Sequence, residues 1–346
     1  MSGATRVFGE IFNFEWRFRL RQGTFWLYCG VFFLLTFAAA STDAVQIGGA
    51  IGKVARNAPF VIVSFLTLMS AIGVIVTTAL VATAVNRDHE LGTQSLFFST
   101  TLSKLDYLGG RFTGNLLAAF AVLVFAALGI LVASFMPWQD PERIVETRAV
   151  PYLYGLLIFG LPNLFFMASL AFALATLTRS TMAAYAGIVG FFVLNGVASV
   201  YVGGLERDAL ASLMDPFGLA AFARSTRYWT VFERNTLTPP LDGALLWNRL
   251  IWTAVGVLLL GLTQWRYRLQ VSESGGFEWR FWRRWQRAAE AAPQPTAVGA
   301  ALPVAAKSFG VRSRFAQWLY QTRGELRGIV RSLPFVVIAL FGILNV

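Results

Sequence analysis

Apart from a Pro- and Ala-rich linker at 291–306 and a run at the end of the sequence, six long stretches of this chain contain no Asp, Glu, Lys, Arg or His: residues 22–42, 57–86, 112–139, 149–178, 180–205 and 250–265. A helix needs about 20 apolar residues to cross the hydrocarbon core of a bilayer. Nothing else in the sequence constrains the fold as tightly. The expectation is an all-α integral membrane protein built as a six-span helical bundle. The sixth run is the shortest, and it extends upstream through Leu245, Leu246 and Trp247, which places Arg249 either inside the protein or near the interface. A seventh apolar run, 332–346, reaches the last residue given. It reads as a partial span, and the expectation is that the chain is truncated there.

Composition agrees. Charged residues make up 14% and hydrophobic residues 56%, whereas soluble domains carry about 25% charge. Soluble enzymes are excluded as a class, and a single cysteine, Cys29, excludes a disulfide scaffold. The net charge of +11 is not a nucleic-acid signature here, because basic residues collect in the cytoplasmic loops of membrane proteins. Only Lys53, Lys104 and Lys307 are lysines among 29 basic residues. That is the coding bias of a GC-rich bacterial genome.

Loop charges set the orientation. Arg6, Arg17, Arg19 and Arg21 precede the first run, and twelve basic residues against four acidic ones follow the sixth, between 266 and 331. Both segments read as cytoplasmic, as an even number of spans requires. The N-terminus is then cytoplasmic and the protein sits in a bacterial inner membrane. Segments 43–56, 140–148 and 206–249 face outward. The last is charge-balanced and too long for a plain connection, so short helices are expected near 208–214 and 217–228. The charged stretch before the first span contains Glu10 and Glu15, unlike the short basic start of a cleavable signal.

In 7–21, phenylalanines interleaved with charge suit an amphipathic helix in the membrane surface, so 1–22 is assigned as an interfacial helix and 23–265 as the six-span domain. Residues 266–311 form a cytoplasmic segment in which Trp279, Trp282 and Trp285 alternate with Arg280, Arg283 and Arg284. Tryptophan with arginine prefers the lipid headgroup region, so the partner of this segment is the bilayer and not a nucleic acid. At an offset of 310, Glu15 aligns with Glu325, Arg17 with Arg327, Arg21 with Arg331 and Phe25 with Phe335. Residues 312–346 therefore read as the start of a second repeat, an interfacial helix plus a partial span, as internal repeats are common in transporters.

The stretch 86–111 carries the sharpest pattern. Arg87, Asp88, His89 and Glu90 end the second span, Gly92-Thr93 makes a break, and Ser95–Phe98 suits a short helix with Leu96, Phe97 and Phe98 exposed. Ser103 or Asp106 can cap the next helix, which enters the membrane past Tyr107 and Arg111. Exposed apolar knobs usually mark an interface, and a docked loop would move both flanking spans as levers.

Glu90-x-Gly92-Thr93, Leu96-Phe97-Phe98-Ser99-Thr100 and Tyr107-x-Gly109-Gly110-Arg111 resemble the type-2 ABC exporter permeases. In that family this loop is the coupling helix that contacts the ATPase subunit. Many members place proline after the Ser-Thr pair, where this chain has Thr101. Met136-Pro137-Trp138, Leu161-Pro162-Asn163, Asp215-Pro216-Phe217-Gly218 and Thr226-Arg227-Tyr228-Trp229 resemble one bacterial branch, in which permease halves are fused to a zinc aminopeptidase domain. The resemblance implies a transmembrane permease subunit that couples ATP hydrolysis by a separate ABC ATPase subunit to transport. It also implies a second six-span unit, supplied by a second permease half or by a homodimer. Glu90, Gly92, Thr93, Leu96, Phe97, Phe98, Tyr107 and Arg111 would form or brace the coupling loop. The branch resemblance leaves open a membrane anchor or regulatory module of a peptidase-linked complex.

No catalytic chemistry is expected of the chain itself. His89 is the only histidine, and His89-Glu90-Leu91-Gly92-Thr93 has threonine where a zinc-peptidase helix needs its second histidine. No G-x-x-x-x-G-K-[ST] loop is present, and no cofactor is implied. Asn57, Asn86, Asn115, Asn163 and Asn195 lie near or within the spans and read mainly as interhelical hydrogen-bonding groups. Pro162 and Asn163 are expected to unwind the fourth span locally, which makes them, with Asn195, the candidate pathway lining.

Overall fold

A computed structural model describes residues 3–42, 54–91, 93, 102–202, 208–267 and 317–324. All regular structure among them is helical. The chain divides into two compact units, Met1–Glu273 and Ser274–Val346. In the second, residues 317–324 are helical. The rest of the expected second repeat and the basic aromatic segment lie outside the described residues.

In the first unit, α1 (Gly3–Leu20) precedes α2 (Gly23–Ser41). The second apolar run is not one straight helix. It forms α3 (Pro59–Ile72) and α4 (Val74–Glu90), bent by 42° at Gly73. The bend has local causes. Ser70 and Thr67 turn their hydroxyls back onto the carbonyls of Thr67 and Val63, and Thr77 does the same to Gly73; such back-bonding bends helices. A side chain at Gly73 would press on the Met69 carbonyl at 3.1 Å. Next come α5 (Lys104–Ala133), α6 (Ala149–Thr178) and α7 (Thr181–Val202). The short helices α8 (Asp208–Met214), α9 (Leu219–Ser225) and α10 (Val231–Thr236) follow, close to where the charge-balanced segment was expected to fold, and α11 (Gly243–Arg266) closes the unit. Five of these helices are long and apolar enough to cross a membrane, and the bent α3–α4 pair makes a sixth.

The distortion expected at Pro162-Asn163 lies one turn upstream. Residues 155–160 widen into a π-turn, and regular α-helix resumes at Leu161. Pro162 lacks the amide that would bond to Ile158, and its ring displaces that carbonyl. The π-turn absorbs the mismatch.

Helix α5 is the spine of the bundle. It packs along α2 and α1 on one side, while α6 packs along α4 and α11 on the other. The α2–α5 contact is close because Gly129 lies against the Phe33 backbone and Thr36. The Thr36 hydroxyl donates to the Ala126 carbonyl at 2.8 Å. In lipid, small residues and interhelical hydrogen bonds of this kind do what the hydrophobic effect cannot do between helices. Spans alternate in direction, so α1, the end of α4, the start of α5 and the end of α11 share one end of the bundle. Residues 54–59, 134–148 and 208–249 gather at the far end.

Candidate functional site

The α1 end holds five charged side chains in one network. Glu15 on α1 is fully buried. It pairs with Arg87 of α4 at 2.5 Å, stands 3.6 Å from Arg111 of α5 and accepts from the Asn115 amide at 3.2 Å. Asp88, also buried, accepts from the Tyr107 hydroxyl at 2.7 Å and pairs with Arg111. Arg111 in turn donates to the Ala84 carbonyl. Arg19, one turn beyond Glu15, donates to Asn115 at 2.6 Å, to the Leu80 carbonyl and to the Thr83 hydroxyl. Burial pulls the Arg19 guanidinium down to about 10, opposed by the Glu15 charge. Arg87 also lies over the rings of Phe18 at 4.3 Å and Phe14 at 5.5 Å.

Glycines permit this contact. A side chain at Gly110 would sit 2.9 Å from Ile11, and one at Gly114 would sit 2.8 Å from the Glu15 Cβ. The Gly110-x-x-x-Gly114 spacing thus lets α1 lie directly on α5, as small-xxx-small pairs do between membrane helices. Tyr107 stacks on Tyr267 at 6.4 Å, bringing in the end of α11. Burial raises the Tyr267 phenol, while Arg179 opposes the shift. Residue 179 itself caps α6 in the left-handed conformation, with φ 52°.

The network clamps both flanks of the segment between α4 and α5. Before it, the Thr93 amide bonds to the Asp88 carbonyl at 3.0 Å. After it, Ser103 caps α5 by accepting from the Asp106 amide at 3.1 Å. Of the residues singled out from the sequence, Tyr107 and Arg111 are central. Glu90 is the last residue of α4, and Thr93 is half-buried. Gly92, Leu96, Phe97 and Phe98 lie outside the described residues. Sequence reasoning missed Glu15, Arg19 and Asp88 as partners. A signal existed: Glu15 and Arg19 continue the line of Phe8, Ile11 and Phe12 at helical spacing, so they sit on the apolar stripe of α1.

Asn163 and Pro162 lie toward the far end. Asn163 is buried, donates to the Ser70 hydroxyl at 2.7 Å and the Phe217 carbonyl at 3.1 Å, and accepts from Arg249 at 2.7 Å. Arg249 is buried inside the protein. Asn195 is half-buried on α7, and its side chain makes no hydrogen bond among the described residues. Asn57 and Asn86 tie neighbouring elements together, through Val145 and Thr181 respectively.

A family described as ABC-2 family transporter protein matches residues 10–262. No curated protein matches the chain. The family match covers most of the chain, which belongs to this family: it is a multi-pass membrane protein and the permease part of an ABC transporter.

Proposed function

We propose that this ABC-2 family protein is one half of an ATP-driven exporter in a bacterial plasma membrane, with its α1 end in the cytoplasm. A separate ATPase subunit docks on the segment between α4 and α5 through Leu96, Phe97 and Phe98. Glu90, Gly92 and Thr93 shape its first flank, and Tyr107 and Arg111 hold its second. The observation that carries this reading is the buried network of Glu15, Arg87, Asp88 and Arg111. A push on the docking segment reaches α4 through Asp88, α5 through Arg111 and α1 through Glu15 at once. Three helices then move as one body, because separating any buried ion pair leaves a charge unpaired in a low-dielectric site.

A second six-span unit completes the pathway, from another copy of this chain or from a second permease half. Asn195, whose amide has no partner among the described residues, and the Pro162-Asn163 stretch line the route. Motifs such as Asp215-Pro216-Phe217-Gly218 support membership in the branch whose relatives carry a zinc aminopeptidase. In that branch the membrane part also has an anchoring reading.

The test is a pull-down of the chain from solubilised native membranes, with mass spectrometry of its companions. Export predicts a co-purifying protein with a phosphate-binding loop, lost on Phe97→Asp. Recovery with a peptidase and no ATPase would overturn this reading and favour the anchor.

A further inference from the structure

We propose that residues 215–218 form a plug in the far end of the bundle, latched by Arg249, and that lifting it opens the far side of the pathway. The proposal deepens the transport reading above and rests on it.

The plug is a chain segment driven into the helices. Phe217 is buried and stacks on Phe192 of α7 at 5.6 Å. It belongs to one core cluster with Val74 of α4, Phe166 and Met167 of α6 and Ile188 of α7. Four spans therefore close around it, since Trp252 of α11 packs on the same cluster.

Side chains of the spans hold its backbone. Asn163 donates to the Phe217 carbonyl. Arg249 donates to the Pro216 carbonyl at 3.4 Å. Asn248 donates to the Asp215 carbonyl at 2.8 Å and the Ser212 carbonyl at 2.6 Å. The Asp215 carboxylate folds the segment on itself, accepting from the amides of Phe217 at 2.9 Å and Ala220 at 2.7 Å. Gly218 is required twice over. Its φ is +73°, and a side chain there would collide with the Arg249 guanidinium.

Arg249 is the unusual member. It is buried, yet no carboxylate lies within ion-pairing distance among the described residues. Its acceptors are neutral: the side-chain oxygens of Asn163 and Asn248 and the Pro216 carbonyl, with the Phe159 ring 5.4 Å away. Its hydrogen bonds all go to neutral dipoles, and the Asp215 carboxylate acts on it only from beyond pairing distance; a buried cation so held regains hydration when its site opens, which offsets part of the cost of breaking these hydrogen bonds. Such a latch can release. Its other anchor sits on the two irregular points of the bundle: Asn163 follows the π-turn of α6 and bonds to Ser70, three residues before the bend at Gly73. Movement at either point displaces the residue that grips the plug.

The test uses the full chain in lipid nanodiscs, with the sole cysteine removed by Cys29→Ser and Val74→Cys introduced beneath the plug. A water-soluble maleimide reports exposure, with no ATP and no ATPase present, so failure of ATPase docking does not affect the result. With Arg249 intact, the Val74→Cys thiol is protected. Adding Arg249→Met speeds its labelling about tenfold or more, because reactivity follows the free energy of local opening. Gly218→Ala acts in the same direction. A Leu108→Cys thiol, buried at the α1 end, stays protected in the same Arg249→Met chain. Unchanged labelling of Val74→Cys overturns the latch. Labelling of both sites also overturns it, since Arg249 would then hold the whole fold and not one plug.

Discussion

The two ends of this bundle differ in how they bury arginine: each holds one on neutral acceptors, Arg19 at the α1 end and Arg249 at the far end, but among these arginines only the α1 end adds buried ion pairs. At the α1 end, Arg87 and Arg111 meet Glu15 and Asp88 in direct ion pairs. At the far end, Arg249 meets amides and a carbonyl. Removing one partner of a buried ion pair costs about 3–5 kcal/mol, because its mate is left charged in a poor solvent. A hydrogen bond from a charged donor to a neutral acceptor is worth only about 1.5–3 kcal/mol. Contact for contact, the ion pairs of the first end are the costlier to break, and the hydrogen bonds that hold Arg249 yield one at a time. That division suits a lever at one side of a membrane and a gate at the other.

The comparison can be broken most sharply at Glu15. Glu15→Ala should destabilise the chain by about 3–5 kcal/mol, because Arg87 and Arg111 lose a buried counter-charge. Thermal unfolding in detergent would show it as the largest drop of the set. An overpacked glycine comes next: Gly114→Val should cost about 1–3 kcal/mol by pushing α1 off α5. It should also loosen α1 to limited proteolysis while leaving the far end intact. At the far end, Asn163→Ala should cost less than Glu15→Ala, about 1–3 kcal/mol for the groups left unsatisfied. If it proved the more damaging of the two, the contrast between the ends would fail. The smallest effect belongs to α10, where Thr230 and Glu233 form a reciprocal capping box. Thr230→Ala should cost about 1 kcal/mol locally. The Glu233 carboxyl is held below its usual range by the Thr230 amide, so this support is present above the unfolded carboxyl range and fades as pH falls through the lowered value. A helix signal from α10 that did not respond to acid would contradict it.

Much of the bundle was legible because charge-free runs are a coarse and robust signal. The runs at 112–139 and 149–178 correspond to α5 and α6, and Ser103 announced the cap of α5. The bend at Gly73 was not legible, since an apolar run of 30 residues records length and not direction. It arises from hydroxyls of Ser70, Thr67 and Thr77 turning onto their own helix, which hydropathy does not register. The effect of Pro162 was readable, but not its position, because the strain moves upstream to the carbonyl that the proline cannot serve. The charge network was half legible. Tyr107 and Arg111 stood out at the mouth of a span, whereas Glu15 looked like one more surface charge. Its burial depends on Gly110 and Gly114, nearly a hundred positions further along the chain. A contact of that separation leaves no local periodicity to read.

The central claim is that the buried network transmits the action of the ATPase. Asp88→Asn tests it most directly, since the substitution keeps the shape and an acceptor for Tyr107 but removes the charge that Arg111 answers. The measurement is the ATPase rate of the reconstituted complex, compared with the ATPase subunit alone. The account predicts that the complex still assembles and that stimulation falls about tenfold, within the usual range of coupling free energies. Full stimulation by a correctly assembled Asp88→Asn complex would contradict it.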